Sequence, residues 1–241
     1  MVSIADTPAG TDATIPTGVA IGTWGASWAL GMLVLAPLAI VAMGADLGDE
    51  LTVPQLAAAT AMGWIAFCAA LVLASRRAGT AEFRRDYAVR FRPIDLVGIP
   101  IGVVLQIGVI PLMYRPLRAL WPTTFSTDEV EERANDLVDR AGDRWAWLLV
   151  VVVVIGAPLI EELVYRGLLQ RSISRTVGLS AGLLLTSVWF ALIHPSAVEW
   201  PGLIVAGLAF GLGVVLTGRI GMGIATHMAF NATGLAVIYW W

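Results

Sequence analysis

The chain of 241 residues is 58% hydrophobic and only 14% charged, where a soluble domain carries about 25% charged residues. Its mean hydropathy is +0.79 and its net charge −3. These values exclude a disordered chain and a nucleic-acid binder, and they point to a polytopic membrane protein. Residues 1–18, rich in Thr, Pro, Ala and Gly, read as a flexible tail. A spanning helix needs about 20 apolar residues, and seven windows qualify: 19–45, 53–75, 94–114, 145–170, 178–195, 201–217 and 220–240. The first is too long, and its flank (Asp6, Asp12) too acidic, for a cleavable signal peptide. The expected fold is all-α, a bundle of about seven transmembrane helices.

Arginine placement sets the expected orientation. The segment 76–92 holds Arg76, Arg77, Arg84, Arg85, Arg90 and Arg92 against Glu82 and Asp86, the strongest cytoplasmic mark in the chain. The loop 46–52 has three acids and no arginine. Arg171, Arg175 and Arg219 fall on the side of 76–92 if seven helices alternate, which puts the amino end inside and the carboxyl end outside. The outside segment 115–144 carries five arginines against seven acids. Within it, Ser126 and Glu129 form a capping-box pattern, and Val130, Ala134, Leu137, Val138 and Ala141 recur at helical spacing. An amphipathic helix on the membrane surface is expected there, as a solvated connector rather than a lid. Phe83, Tyr87 and Phe91, set among the arginines, predict an interfacial anchor on anionic lipid. The single Cys68 excludes an internal disulfide. Gly98 and Gly102, Gly178 and Gly182, and Gly207 and Gly211 have the spacing that lets helices approach closely, which is packing and not chemistry.

The fourth window places Glu161 and Glu162 after a long apolar run. An ionised side chain in the bilayer costs about 2.5–3.5 kcal/mol even on insertion scales, so two adjacent ones need a reason. Helical neighbours point about 100° apart, so the two carboxylates are not expected to share one environment. Glu162 and Arg166 are four apart in the order that favours an ion pair. Glu161 has Tyr165 four residues on and no basic partner, and is expected to face a cavity. The only histidines are His194, four after Phe190, and His227, four before Asn231. Glu161 and His194 lie at nearly equal distances from a turn near Val177, so an antiparallel hairpin brings them to equal depth. Glu161, His194 and His227 are expected to converge, in a site opening toward Arg76–Arg92.

A glutamate and a histidine can hold one water between them. An apolar site raises a carboxyl pKa toward neutrality, so such a group can take up a proton and return it. A histidine and an asparagine can donate to a developing oxyanion. Two histidines and a carboxylate also form a hydrolytic zinc set, so Glu161, His194 and His227 are the candidate ligands if a divalent metal is bound. There is, however, no HExxH.

The set Glu161-Glu162…Tyr165-Arg166, Phe190…His194 and His227…Asn231 resembles the three motifs of the CPBP intramembrane protease family, which includes type II CAAX prenyl proteases and the Abi and bacteriocin-processing proteins. The likeness covers residues 145–241, which would form a catalytic four-helix core, with 19–144 supplying three further helices. It implies an integral, multi-pass protein of a bacterial cytoplasmic membrane. The implied activity is an endopeptidase acting on a membrane-associated or lipidated substrate, with its cavity facing the cytoplasm. By the same resemblance Glu161 is the general base, His194 its water-binding partner, and His227 and Asn231 the oxyanion donors. Glu162, Arg166, Tyr165 and Phe190 shape the site. A non-enzymatic scaffold or immunity protein of the same fold is the alternative. A proton-coupled transporter fits less well, because the polar residues sit only in the second half. A serine protease built on Ser180 is disfavoured by that residue's place at the turn.

Overall fold

The computed structural model describes residues 14–46 and 48–240. Residues 1–13, most of the expected tail, lie outside the described residues. The remainder of that stretch is packed. Ile15 is 2% exposed, the Thr14 hydroxyl donates to Asp86 at 2.7 Å, and the Thr17 hydroxyl donates to the Ser172 carbonyl at 2.6 Å.

The described residues are all-helical, with no strand among them. Seven apolar helices run up and down: α1 Thr17–Ala42, α2 Val53–Ala78, α3 Pro93–Leu120, α4 Thr127–Val177, α5 Leu179–Leu192, α6 Trp200–Thr217 and α7 Gly221–Trp240. Five of them are, by length and composition, capable of crossing a membrane among the described residues, and α5 is a shorter apolar helix. The alternation gives the bundle two ends. Loop 79–92, the α4–α5 turn and residues 218–220 form one, which bears the exposed arginines. Loops 43–52, 121–126 and 193–199 form the other.

The expected surface helix and the fourth span are one element, α4, broken at Gly142. Its start is fixed by the Ser126 hydroxyl, which accepts from the Glu129 N–H at 3.2 Å. Gly142 has φ 47° and ψ −162°, a backbone conformation open to a residue without Cβ. Beyond it, Val150–Gly156 and Glu162–Gln170 are wound with the wider π-helical pattern. Pro158 sits between these stretches and lacks an N–H to donate. The wide turns accommodate that gap, and such turns are frequent at functional sites.

The arginine end is tied down by two buried carboxylates. Asp95 is fully buried and takes both arms of Arg219, at 2.9 Å and 2.7 Å. This clamp joins the start of α3 to the start of α7. Asp86, 2% exposed, accepts from the Ser75 hydroxyl at 2.5 Å, from the Thr80 hydroxyl at 2.7 Å and from Thr14. Burial alone would push the Asp86 carboxyl up, but these hydrogen bonds together outweigh it and hold its pKa below the usual aspartate value. A depressed folded-state pKa means that the stabilisation is complete above the ordinary aspartate value of about 3.9 and fades as pH falls below it. Hydrogen exchange in loop 79–92 is therefore expected to speed up below about pH 4, and Asp86→Asn should remove that pH step.

Tyr87, expected at the lipid surface, is instead fully buried, its hydroxyl donating to the Leu71 carbonyl at 2.6 Å. A tyrosine inside the core needs such a partner. Phe91, 58% exposed, does lie on the surface.

Candidate active site

Glu161 and Glu162 sit where α4 passes into its second π-helical stretch. Glu162 is fully buried, and its carboxylate lies 3.4 Å from Arg166 Nε. Arg166 is itself buried and donates from Nη2 to the Gly207 carbonyl of α6 at 3.0 Å. Its guanidinium lies over the Phe190 ring, 4.8 Å from the centroid. The expected ion pair is present, but it is one link of a longer chain. Glu162 Oε1 also lies 3.0 Å from His227 Nδ1, and the other ring nitrogen, Nε2, lies 3.7 Å from Glu161 Oε2. His227 thus stands between the two glutamates.

This corrects the expectation that adjacent carboxylates must be independent. An imidazole carries nitrogens on two edges and can reach two neighbouring side chains at once. The π-helical winding also turns each residue through less than the α-helical 100°, which brings the two carboxylates closer in direction. Their surroundings nevertheless differ, since the Glu161 side chain is 26% exposed and that of Glu162 is not exposed.

His194 does not pair with Glu161 by a hydrogen bond or ion pair among the described residues. It lies past the end of α5, and its Nδ1 is 2.7 Å from the Phe190 carbonyl. A carbonyl only accepts, so Nδ1 carries the proton and neutral His194 keeps its lone pair on Nε2. Equal residue counts from the turn give no direct hydrogen bond or ion pair between the two among the described residues. Phe190 still gathers the set. Its ring contacts those of Tyr165, His194 and His227, with centroids 5.3, 4.9 and 5.9 Å away. The Tyr165 hydroxyl accepts from Trp24 Nε1 of α1 at 3.2 Å. Asn231, one turn beyond His227, donates its amide to the Val153 carbonyl of α4 at 2.8 Å.

Two contributions come from residues the sequence reading passed over. Phe210 of α6 stacks on His227, with ring centroids 4.2 Å apart and planes 15° apart. Gly223 of α7 leaves room for Glu162, since a Cβ there would stand 2.7 Å from the carboxylate oxygen. Both lie outside the polar pattern that drew attention to α4, α5 and α7. An aromatic residue in an apolar helix carries no signal of its own.

Glu161 opens onto a cavity of about 470 Å³ walled by α1, α2 and α4. Trp28, Met32, Trp64, Phe67 and Tyr165 make it apolar, and Glu161 is its acidic group. The cavity runs toward Ile40, Leu51 and Leu56, at the acidic end of the bundle. The expectation that the site opens toward Arg76–Arg92 is therefore corrected. In that direction every residue from Val164 to Ser174 is buried. The reason is local: Arg166, paired with Glu162, and Gln170 donate to the Gly207 and Gly211 carbonyls at 3.0 and 2.9 Å and so close α4 against α6.

His227 Nδ1 is held by Glu162 and His194 Nδ1 by the Phe190 carbonyl, which leaves Nε2 of each ring as the nitrogen a ligand would meet. No group of three His, Cys, Asp or Glu side chains among the described residues is arranged to hold an ion. The proposed ligand set of Glu161, His194 and His227 does not converge, and no step is routed through a metal below.

The site lies within a segment with known relatives. Residues 143–233 match the family described as type II CAAX prenyl endopeptidase Rce1-like. No curated protein and no solved structure matches the chain.

Proposed function

Because residues 143–233 belong to the Rce1-like family of type II CAAX prenyl endopeptidases, we propose that the chain is an intramembrane endopeptidase that uses Glu161 as a metal-free general base. The observation that carries this reading is a carboxylate about one quarter exposed, 26%, at an apolar cavity, backed by a histidine that a buried ion pair holds in place. Water bound between Glu161 and His194 Nε2 loses a proton to Glu161 as its oxygen attacks the scissile carbonyl. Glu162 fixes the His227 ring, as a carboxylate orients a catalytic imidazole elsewhere. With Nδ1–H given to Glu162, His227 offers Nε2–H to the oxyanion in its imidazolium form, in which both ring nitrogens donate. Asn231 joins by exchanging the Val153 carbonyl for the oxyanion. Glu161 then returns its proton to the departing amine, so base and acid are one residue. Residues 145–241 carry these groups, and α1 and α2 supply the rest of the cavity wall. The substrate is a membrane-associated peptide or protein.

Purified protein in lipid is expected to cut a membrane-anchored peptide, and His227→Ala to slow it by roughly 10²–10³, as for other oxyanion donors. Unchanged turnover would remove His227 from the mechanism. Chelator should leave the parent's rate unaltered, and a rate restored by one added metal would replace the general-base reading with a metal mechanism.

A further inference from the structure

A buried amide in α3 has no part in the proposed mechanism. Gln106 is the only polar side chain from residue 96 to 113, near the middle of an apolar helix. Its Oε1 is buried with no hydrogen-bond partner among the described residues. A polar group held away from water costs stability unless it is paired. The π-helical turn Leu105–Val109 carries it, and such turns are frequent at functional sites. Gly234 of α7 makes room for it, since a Cβ there would stand 3.1 Å from Gln106 Nε2. Gln106 lines a second cavity, of about 450 Å³, between α3, the start of α4 and α7. Asn231 and Val153 line it too, so the hydrogen bond between them lies on its wall. Tyr114, also on that wall, is already engaged: its hydroxyl donates to the Val198 carbonyl at 2.6 Å and accepts from the Gly202 N–H at 3.3 Å. Arg118 and Glu131 stand nearer the 121–126 loop.

We propose that Gln106 anchors the substrate backbone: an extended peptide lies in this cavity, donating an N–H to Gln106 Oε1 and accepting from Gln106 Nε2 on a carbonyl. This rests on Asn231 meeting the oxyanion. A primary amide offers a donor and an acceptor side by side, the complement of one peptide unit. His227, Asn231 and Gly234 follow at i, i+4 and i+7 on one face of α7. The Gln106 amide beside Gly234 therefore stands one turn beyond Asn231, roughly 4.5 Å along α7 at 1.5 Å per residue. When Asn231 leaves the Val153 carbonyl for the oxyanion, the carbonyl being cut lies at the wall of this cavity. An extended chain advances about 3.4 Å per residue, so the peptide unit one or two residues from the cut reaches Gln106. A helical peptide spends its N–H groups on its own carbonyls, so the bound segment is unwound there. Recognition at Gln106 is of chain conformation and is blind to side-chain identity.

The test reads occupancy without reading turnover. In purified Glu161→Gln protein, a photoreactive benzoylphenylalanine replaces Val237, an exposed residue that lines the cavity. The probe is a lipid-anchored apolar octapeptide, used unmodified and with a backbone N-methyl group at each peptide bond in turn. Illumination should crosslink the unmodified peptide to the protein. Adding Gln106→Leu should raise the peptide concentration for half-maximal crosslinking about tenfold, the order expected for one or two buried hydrogen bonds. One N-methyl position should weaken crosslinking to the Gln106 protein by a similar factor and leave Gln106→Leu unaffected. Gln106→Leu should also unfold at the same or a higher temperature, because it removes an unpaired polar group from an apolar helix. Absence of crosslinking, equal concentrations for the two proteins, or N-methyl effects identical in both overturns the anchor. A lowered unfolding temperature for Gln106→Leu overturns it as well, since the amide would then serve the fold. A Glu161→Gln protein that still cuts the peptide would remove the general-base role alone and leave these readings intact.

Discussion

Glu161→Gln is expected to abolish peptide hydrolysis while leaving the folded protein in the membrane. Gln keeps the size of the side chain and removes only the basic oxygen. Among the described residues Glu161 makes no hydrogen bond, and its ionic neighbour is His227 Nε2 at 3.7 Å, so little packing is lost. General-base loss costs about 10²–10⁴-fold. Residual turnover above about 1% of the parent would mean that Glu161 is not the base. Unchanged thermal unfolding in detergent would separate this effect from misfolding. Glu162→Gln makes the contrasting case. Its carboxylate holds His227 Nδ1 at 3.0 Å and Arg166 at 3.4 Å with no exposure of its own, so this variant should lose activity and stability together. A Glu162→Gln protein as stable as the parent would show that the buried chain does not carry stability.

Breaking the Glu162–Arg166 pair from either side is the second large effect. Removing one partner of a buried ion pair typically costs about 3–5 kcal/mol, because the other charge is left buried without compensation. Glu162→Ala strands Arg166 against the Phe190 and Phe210 rings, 4.8 and 5.6 Å from its guanidinium. Arg166→Ala strands Glu162 beside His227 and also releases the Gly207 carbonyl of α6. The double variant removes both charges, so its loss should be smaller than the sum of the singles. A coupling of at least about 1 kcal/mol is expected in a double-mutant cycle of thermal unfolding. Strict additivity would mean that the two residues do not interact. The single Arg166 variant should be the more damaging, since it also loosens α4 from α6.

What the sequence by itself determined was the alternation of the chain through the membrane and the identity of its buried polar groups. Bilayer thickness forces apolar runs of fixed length, and a charge inside them is costly enough to stand out in a single sequence. Seven helices, the Glu162–Arg166 pair and the ring of Phe190 beside His194 followed from that arithmetic. Local signals also placed the start of α4 at Ser126, because an N-cap is satisfied within one turn.

The partnering of Glu161 was decided only by the tertiary structure. Residue counting assumes one rise and one rotation per residue, and the π-helical turns on either side of Pro158 change both. The doublet therefore converged on His227 of α7 rather than dividing its partners, and His194 turned back onto its own helix. Phe210 and Gly223 entered the site through packing between helices that share no motif, which no periodicity within one helix can announce. The direction of the cavity was likewise hidden. Arginine counts orient the loops, but which end of the bundle is closed depends on how the helices pack. Residues 164–174 are buried at the arginine end, where Arg166 and Gln170 bond α4 to α6, and the opening to Glu161 is left to the apolar faces of α1 and α2.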